Sequence, residues 1–113
     1  MNWPLRNAAL AAAALGLAGG LLWGADRLRS TRLARTPEAL ARGRAVLAAR
    51  CLHCHAAIPL APRVAGWSAD RAYDAIGRLP ALQPAMPRFA GSEEERRALA
   101  VYLSALGAGA APP

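Results

Sequence analysis

The feature that most constrains this chain is the pentapeptide CLHCH at residues 51–55, which contains both of its cysteines. Cys51 and Cys54 are separated by two residues, and His55 directly follows the second. This spacing allows a redox disulfide, a metal site or attachment of a prosthetic group. In each case the fold must bring the two thiols and the imidazole together near the middle of a 113-residue chain.

Two of these chemistries fit the surrounding sequence poorly. A redox C-x-x-C motif normally opens a helix after a strand, whereas here a helix is predicted to precede Cys51 and no segment alternates like a strand. Structural zinc takes four protein ligands in a tetrahedron. His53 and His55 could complete a set with the two cysteines, but four ligands within five consecutive residues cannot surround one ion.

Covalent attachment of a haem explains the motif better. The thiols of Cys51 and Cys54 can add to the two vinyl groups along one edge of a porphyrin, which matches their spacing. The adjoining His55 then lies under the iron as proximal ligand, and His53 is an ordinary intervening residue. The motif therefore predicts one haem c, bound covalently through Cys51 and Cys54, with His55 as a metal ligand.

The second protein ligand of the iron follows by elimination. The chain has no lysine and no suitable second histidine, and its only methionine besides Met1 is Met86. Met86 lies between Pro84 and Pro87, whose fixed φ angles stiffen the backbone. An isolated methionine also commonly fills a gap in a core. The proline flanks and the position between two predicted helices favour Met86 as a metal ligand.

Helix signals surround the motif. Thr36-Pro37-Glu38 predicts the start of a helix that runs toward Arg50 and delivers Cys51 at its end. Ser68 begins a second, shorter helix that extends through Arg78. Three prolines between Leu79 and Pro87 predict a stiff, largely extended loop instead of a helix.

The last helix has the clearest signature. A capping box at Ser92–Glu95 opens it, Gly107 closes it, and large side chains recur at helical spacing. The fold class is therefore all-α over residues 36–107, followed by a flexible tail at 108–113. Only about 70 residues with few large apolar side chains make a weak core, so a bulky apolar group is expected to fill its centre. The apolar positions of the last helix are Leu99, Tyr102, Leu103 and Leu106.

The N-terminal segment has the length of a membrane span. Residues 7–25 carry no charge, close to the roughly 20 residues that cross a bilayer as a helix. Residues 1–26 are therefore a single transmembrane anchor or signal-anchor, with a cleaved signal peptide as the alternative. Gly16, Gly20 and Gly24 form a row of small residues at a spacing of four. That row is either a packing face for an integral membrane subunit or a product of Ala/Gly-rich composition.

Positive charge is concentrated after this segment. Residues 1–50 carry eight arginines against Asp26 and Glu38, a net +6 of the total +7. The predicted basic linker, residues 27–35, holds four of these arginines. The folded part has no basic stripe, so we expect no nucleic-acid partner. Phospholipid headgroups, an acidic partner or simple solubility remain open as roles for the linker.

In the order of its motifs the chain resembles the class I cytochromes c, single-haem electron carriers, over residues 37–107. The matching features are a helix containing Gly43, the CLHCH motif, a Pro/Gly turn, a middle helix, the Met86 loop and a terminal helix carrying Tyr102. The resemblance implies a small cytochrome c fold around one covalently bound haem. It also implies that the first helix crosses the last at Gly43, near Tyr102.

Further site residues come with this resemblance. Residues 61–66, APRVAG, look like the family's Gly-Pro-x-Leu-x-Gly turn with Ala61 in place of the first glycine. The resemblance implies that a proline carbonyl accepts the Nδ1 proton of His55, with Pro62 the first candidate and Pro59 the second. Additional candidates for contact with the haem propionates are Trp67, Arg63 and Arg71.

These assignments predict function and location. With His55 and Met86 both on the iron no position is open to substrate, so the expected chemistry is one-electron transfer at fairly high potential. In the family, haem attachment occurs outside the cytoplasm, which predicts a single-pass protein of a bacterial cytoplasmic membrane with its haem domain in the periplasm. The arginines at 27–35 oppose this orientation under the positive-inside rule.

Three functions remain open. The chain is predicted to be an electron-transfer subunit of a membrane-bound respiratory oxidoreductase, with redox partners packed on Gly16, Gly20 and Gly24. Alternatively it is a free-standing tethered shuttle between complexes. The third interpretation is a haem-based gas sensor in which Met86 yields to the gas. In none of them is the chain itself an enzyme.

Overall fold

The computed structural model describes residues 3–112 and shows six helices in that range. There is no strand among these described residues, and the all-α fold class is confirmed. The chain divides after Arg32 into two compact units. The helices are α1 (Trp3–Arg32), α2 (Pro37–Arg50), α3 (Leu52–His55), α4 (Ala69–Ile76), α5 (Leu79–Leu82) and α6 (Glu93–Gly107).

The first unit consists of α1, which contains one apolar stretch, Arg6–Ala25, long enough to cross a membrane. Twenty residues of helix measure about 30 Å, the thickness of the hydrocarbon layer. Leucines between Leu10 and Leu22 expose 69% or more of their surface. This exposure is unfavourable in water and favourable in lipid, so α1 is compatible with a single-pass anchor; a signal sequence has the same character. The helix continues through residues 27–32 of the predicted basic linker.

The second unit is built on α2 and α6, and both helices begin as predicted. The Thr36 side chain accepts a hydrogen bond from the backbone N–H of Ala39 at 3.1 Å. At α6 the capping box is complete: Ser92 Oγ accepts from the N–H of Glu95, and the Glu95 carboxylate accepts from the N–H of Ser92. These bonds satisfy amide groups that a helix start otherwise leaves unpaired.

The two long helices of this unit cross at Gly43. A Cβ on Gly43 would lie 2.5 Å from the Cβ of Tyr102 and closer still to the carbonyl oxygen of Ala98. Only glycine permits the backbones to approach this closely. The predicted crossing of the first domain helix over the last, near Tyr102, is therefore confirmed. Beside the crossing, Arg42 forms an ion pair with Glu94.

Helix α4 also packs on α6, and one arginine of α6 links the two helices. Nε and Nη2 of Arg96 both donate to the carbonyl oxygen of Tyr73, at 3.0 and 2.8 Å, and the guanidinium lies 3.8 Å from the centre of the Tyr73 ring. Helix α4 is shorter than the predicted Ser68–Arg78 but starts from the predicted cap, Ser68. The core shared by the three helices comprises Val46, Leu47, Val64, Ala72, Ile76, Leu99, Ala100, Tyr102, Leu103 and Leu106.

One chain segment behaves differently from the simplest expectation. Residues Leu79–Leu82 form one turn of α-helix, so the prediction that the proline-rich segment is a loop throughout is wrong. Pro80 occupies the first turn of that helix, where its missing N–H removes no hydrogen bond.

The C-terminal tail contacts the second unit. The Tyr102 hydroxyl donates to the carbonyl of Pro112, and Ala111 packs on the core. The flexibility of residues 108–113 stays a prediction.

Candidate haem-binding site

Helix α2 ends at the motif and fixes its position. The backbone N–H of Cys51 donates to the carbonyl of Leu47 at 2.9 Å, which makes Cys51 the last hydrogen-bonded residue of α2. Its own carbonyl accepts from the N–H groups of Cys54 and His55, at 3.3 and 3.0 Å, and so starts the single turn α3. Residues three and four apart on a helical turn are neighbours. The C-x-x-C-H spacing thus brings all three chemically active side chains to one side of that turn.

The two cysteines are both free thiols, but their surroundings differ. Cys51 is half-buried and Cys54 is exposed. Burial raises the pKa of the Cys51 thiol above its usual value, and the neighbouring Arg50 guanidinium offsets this only in part. Redox-active C-x-x-C sites depend on a thiolate with a lowered pKa. The environment of Cys51 therefore disfavours a dithiol redox role, in agreement with the sequence argument.

His55 is half-buried and its imidazole has one nitrogen inside the protein. Nδ1 is buried and has no hydrogen-bond partner among the described residues. The structure shows no hydrogen bond from Nδ1 to the carbonyl of Pro62 or of Pro59, and that role of the two prolines stays a prediction. Because Nδ1 is enclosed, Nε2 is the nitrogen left for an iron.

Met86 lies where the polypeptide turns between α5 and α6. Its N–H donates to the carbonyl of Gln83 at 3.0 Å, which closes a tight turn through Pro84, and the residue is half-buried. Met86 thus has a defined backbone position but an incompletely covered side chain. This is the state expected of a thioether that packs against something other than the chain itself.

The remaining predicted site residues follow the motif in sequence. The carbonyl of Leu60 accepts from the N–H groups of Arg63 and Val64, and Gly66 has φ +74°, so the predicted Pro/Gly turn is present. The Arg71 guanidinium lies 4.7 Å from the centre of the Trp67 ring. The structure therefore brings Trp67 and Arg71 together, whereas Arg63 is exposed on the turn.

Apolar side chains in the segments that carry the motif and Met86 are partly exposed. Leu52, Ile58 and Leu82 expose 38%, 40% and 49% of their surface, although they belong to the compact second unit. Leu52 is within the motif, Ile58 follows it closely, and Leu82 ends the helix before the Met86 turn. Two thiols, an enclosed imidazole, a half-covered thioether and uncovered leucine and isoleucine side chains together make a donor set suited to a c-type haem.

One link around this site was not predicted from the sequence. Arg50 Nη2 donates to Glu95 Oε2 at 3.1 Å, and its guanidinium lies 5.8 Å from the centre of the Phe89 ring. Arg50 immediately precedes Cys51, Phe89 lies three residues after Met86, and Glu95 belongs to the capping box of α6. The arginine thus connects the two segments that carry the expected iron ligands. A partner for Arg50 could not be chosen from sequence, because Glu93, Glu94 and Glu95 were equally plausible.

Comparison with known proteins identifies the family. Residues 38–103, more than half of the chain, match the family described as "Cytochrome C oxidase, cbb3-type, subunit III". No curated protein and no solved structure matches the chain. The matched region contains α2 except Pro37, the CLHCH motif, the Met86 turn and most of α6. The family is one of c-type cytochromes, which implies haem c and supports haem-based electron transfer by an electron carrier. With its donor set and its helices α2 and α6 in this arrangement, the chain belongs to the cbb3-type cytochrome c oxidase subunit III family.

Proposed function

We propose that the chain is a membrane-anchored monohaem cytochrome c that transfers single electrons as a subunit of a membrane-bound respiratory oxidoreductase. The observation that carries the proposal is the donor set of the second unit: two free thiols, an enclosed His55 nitrogen and a half-buried Met86, in segments that also expose apolar side chains. A bound haem c supplies reversible one-electron chemistry at its iron.

The residues of the chain divide the work of holding this group. Cys51 and Cys54 would anchor it covalently, and His55 and Met86 would ligate its iron. With two protein ligands on the iron, the chain would support electron transfer and not the binding of a substrate. Met ligation and burial favour the ferrous state and raise the potential. Trp67, Arg63 and Arg71 are the candidates for contact with the haem propionates, and Pro62 is the candidate acceptor for His55 Nδ1.

The matched family supports a subunit over a free-standing shuttle, because its description names an oxidase subunit.

Membrane partners would pack on α1 along Gly16, Gly20 and Gly24. A Cβ added at any of these glycines would meet no group within 4 Å, so the row is uncovered. Small-residue rows let helices approach closely in lipid. The haem domain would lie on the periplasmic side of a bacterial cytoplasmic membrane. In the class I cytochromes c, which the chain resembles, haem c is attached outside the cytoplasm.

The ligand assignment is tested with Met86→Ala. We expect covalent haem to remain, with a lower reduction potential and binding of carbon monoxide to the ferrous protein at neutral pH. A pyridine haemochrome assay checks the haem, and a redox titration measures the potential. Gln83→Ala, in the same turn, is the matched control and should leave the potential unchanged. An unaltered potential and spectrum in Met86→Ala would refute the assignment.

Membership of a complex is tested on the glycine row. Gly20→Leu should release the protein from membrane subunits with which the wild type co-purifies in mild detergent. Gly19→Leu adds the same volume to the same helix but lies off the row, and it should leave co-purification intact. Equal behaviour of the two variants would count against a packing face on this row.

A further inference from the structure

The segment that joins the two units has an unusual charge. Residues 26–35, which we term the neck, contain Arg27, Arg29, Arg32 and Arg35 against the single acid Asp26. The second unit from residue 36 onward has no comparable excess, because nine arginines there face six acids over a much longer stretch. Electron transfer by the proposed haem makes no use of the neck arginines.

The membrane end of the neck is continuous with the apolar helix. The apolar stretch of α1 ends at Ala25, and the same helix runs on to Arg32. At 1.5 Å per residue, Arg27 is about 3 Å and Arg32 about 10 Å beyond the end of that stretch. The polar headgroup layer is roughly 5–8 Å thick on each side of a bilayer. Both positions therefore fall at or just outside headgroup depth if α1 spans the membrane.

The side chains at this end have an interfacial character. The Arg27 guanidinium lies 4.6 Å from the centre of the Trp23 ring, one helical turn earlier. Tryptophan is enriched at the boundary between hydrocarbon and water, and an arginine stacked on it keeps its charge in the polar layer. This pair marks the point at which the helix leaves the apolar layer.

The other end of the neck already has a structural task. Arg35 donates to Ser104 Oγ, and Leu33 packs on the core of the second unit. Arg35 thus has a partner within the second unit. Arg27 and Arg32 are in the helical part of the neck, close to the end of the apolar stretch.

We propose that the neck binds the headgroups of anionic phospholipids through Arg27 and Arg32. The proposal rests on the membrane anchor of the proposed function and adds a ligand class to it. Guanidinium groups pair with phosphate in a bidentate manner. The headgroup layer presents such phosphates at the depth that the two arginines reach. Binding there would give the neck arginines a ligand on the side of the membrane that the positive-inside rule disfavours for them.

The test compares lipid retention by the full-length holoprotein. Protein is equilibrated in detergent with equal amounts of phosphatidylglycerol and phosphatidylcholine, and native mass spectrometry counts each lipid retained. We expect wild type to prefer phosphatidylglycerol. In Arg27→Gln/Arg32→Gln the preference should fall roughly thirtyfold, the equivalent of two arginines at about 1 kcal/mol each. The charge-matched control Arg44→Gln/Arg78→Gln, in the second unit, should keep the wild-type preference.

Each other outcome overturns the proposal. Equal retention of the two lipids by wild type would do so, as would a preference that survives in the neck variant or disappears equally in the control. Loss of a co-purifying subunit from the neck variant, with lipid preference intact, would assign the neck to an acidic protein surface instead. Haem absorbance is recorded on the same samples, so a colourless protein that keeps its lipid preference would break the proposed function alone.

Discussion

The small domain has two halves: the crossing of α2 with α6, and the segments that carry CLHCH and Met86, which we term the ligand face. At the crossing, Gly43 lies against Ala98 and Tyr102, and the side chains around it are buried. At the ligand face an imidazole nitrogen has no partner among the described residues, and leucine and isoleucine side chains are partly exposed. The chain thus packs the first half with its own side chains more fully than the second. This difference is what a cofactor-dependent domain should show.

The largest effect is expected from removing both anchors. In Cys51→Ala/Cys54→Ala the ligand face loses its covalent link to the haem, and the core of the crossing alone is too small to maintain the domain. We expect loss of most of the folding free energy, of the order of 5 kcal/mol. Thermal unfolding followed by far-ultraviolet circular dichroism measures it.

His53→Ala is the control for this double variant, because His53 is an exposed residue of the same motif. It should retain haem and stability. If the cysteine variant melted at the wild-type temperature, the domain would not depend on bound haem for its stability. That result would contradict the difference between the two halves.

The next effect concerns the complete half. Gly43→Ala places a methyl group against the backbone of Ala98 and the Cβ of Tyr102, so the helices must separate. Overpacking of this kind costs about 1–3 kcal/mol. Denaturant unfolding of the holoprotein should show this loss with little change in the haem spectrum. Ala45→Ser, on an exposed position of the same helix, should be nearly neutral; a spectrum altered as strongly as the stability would mean that the crossing and the ligand face are not separable.

A smaller effect should come from the link between the halves. Arg50 and Glu95 are each about one-third exposed, so their ion pair contributes at most about 1 kcal/mol to stability. Its position between Cys51 and the segment after Met86 gives it a second effect. Arg50→Gln should loosen the Met86 turn and increase binding of imidazole to the ferric iron several-fold, measured by optical titration.

Glu95→Gln should behave like Arg50→Gln toward imidazole while retaining the capping hydrogen bond of α6. Arg42→Gln removes the partner of Glu94 on the same pair of helices and serves as control, with unchanged imidazole affinity. If all three variants bound imidazole equally, the link would have no specific relation to the ligand face.

The smallest effect is a pH dependence at the contact of α4 with α6. The Tyr73 hydroxyl donates to the Glu93 carboxylate, and chiefly this hydrogen bond raises the pKa of Tyr73 above its usual value. Folding therefore favours the protonated phenol. The resulting stabilisation is complete below about pH 10, the pKa of an unfolded tyrosine, and is lost as the pH rises through the higher pKa of the folded state.

Glu93→Gln should lower the pKa of Tyr73 toward its ordinary value. Nuclear magnetic resonance of ring-labelled tyrosine measures this pKa during a pH titration. An unchanged pKa of Tyr73 in this variant would contradict the assignment of its cause.

How much could be predicted from the sequence depends on the range of the interaction. Helix starts at Thr36, Ser68 and Ser92 were predictable because a cap and its partner are three residues apart. The crossing at Gly43 was predictable only through resemblance, since nothing local specifies which helix approaches a glycine. Contacts between distant side chains, such as Arg50 with Glu95 and Tyr102 with the tail, depend on tertiary geometry and were not predicted.

The ligand face shows the same division. The residue types and spacing of CLHCH indicated its chemistry, because that chemistry is local to five residues. The acceptor for His55 Nδ1 could be suggested only through resemblance, because it depends on tertiary structure that a local motif does not specify, and it stays a prediction. The helical turn at Leu79–Leu82 was not predicted, because three prolines in nine residues indicate a loop. Pro80, however, lies in the first turn, where proline removes no helical hydrogen bond.

The crossing at Gly43 also has a topological consequence. Gly43 and Tyr102 are separated by about 60 residues, and their contact closes a loop in the chain. All the residues proposed to hold the haem covalently or to ligate its iron, from Cys51 to Met86, lie within this loop. Closing a flexible loop of that length costs roughly 3–4 kcal/mol of chain entropy plus a constant. A haem bound covalently by one part of the loop and ligated by another part would reduce the number of loop residues that are still flexible. We therefore expect haem attachment and the docking of α2 on α6 to accelerate one another during folding.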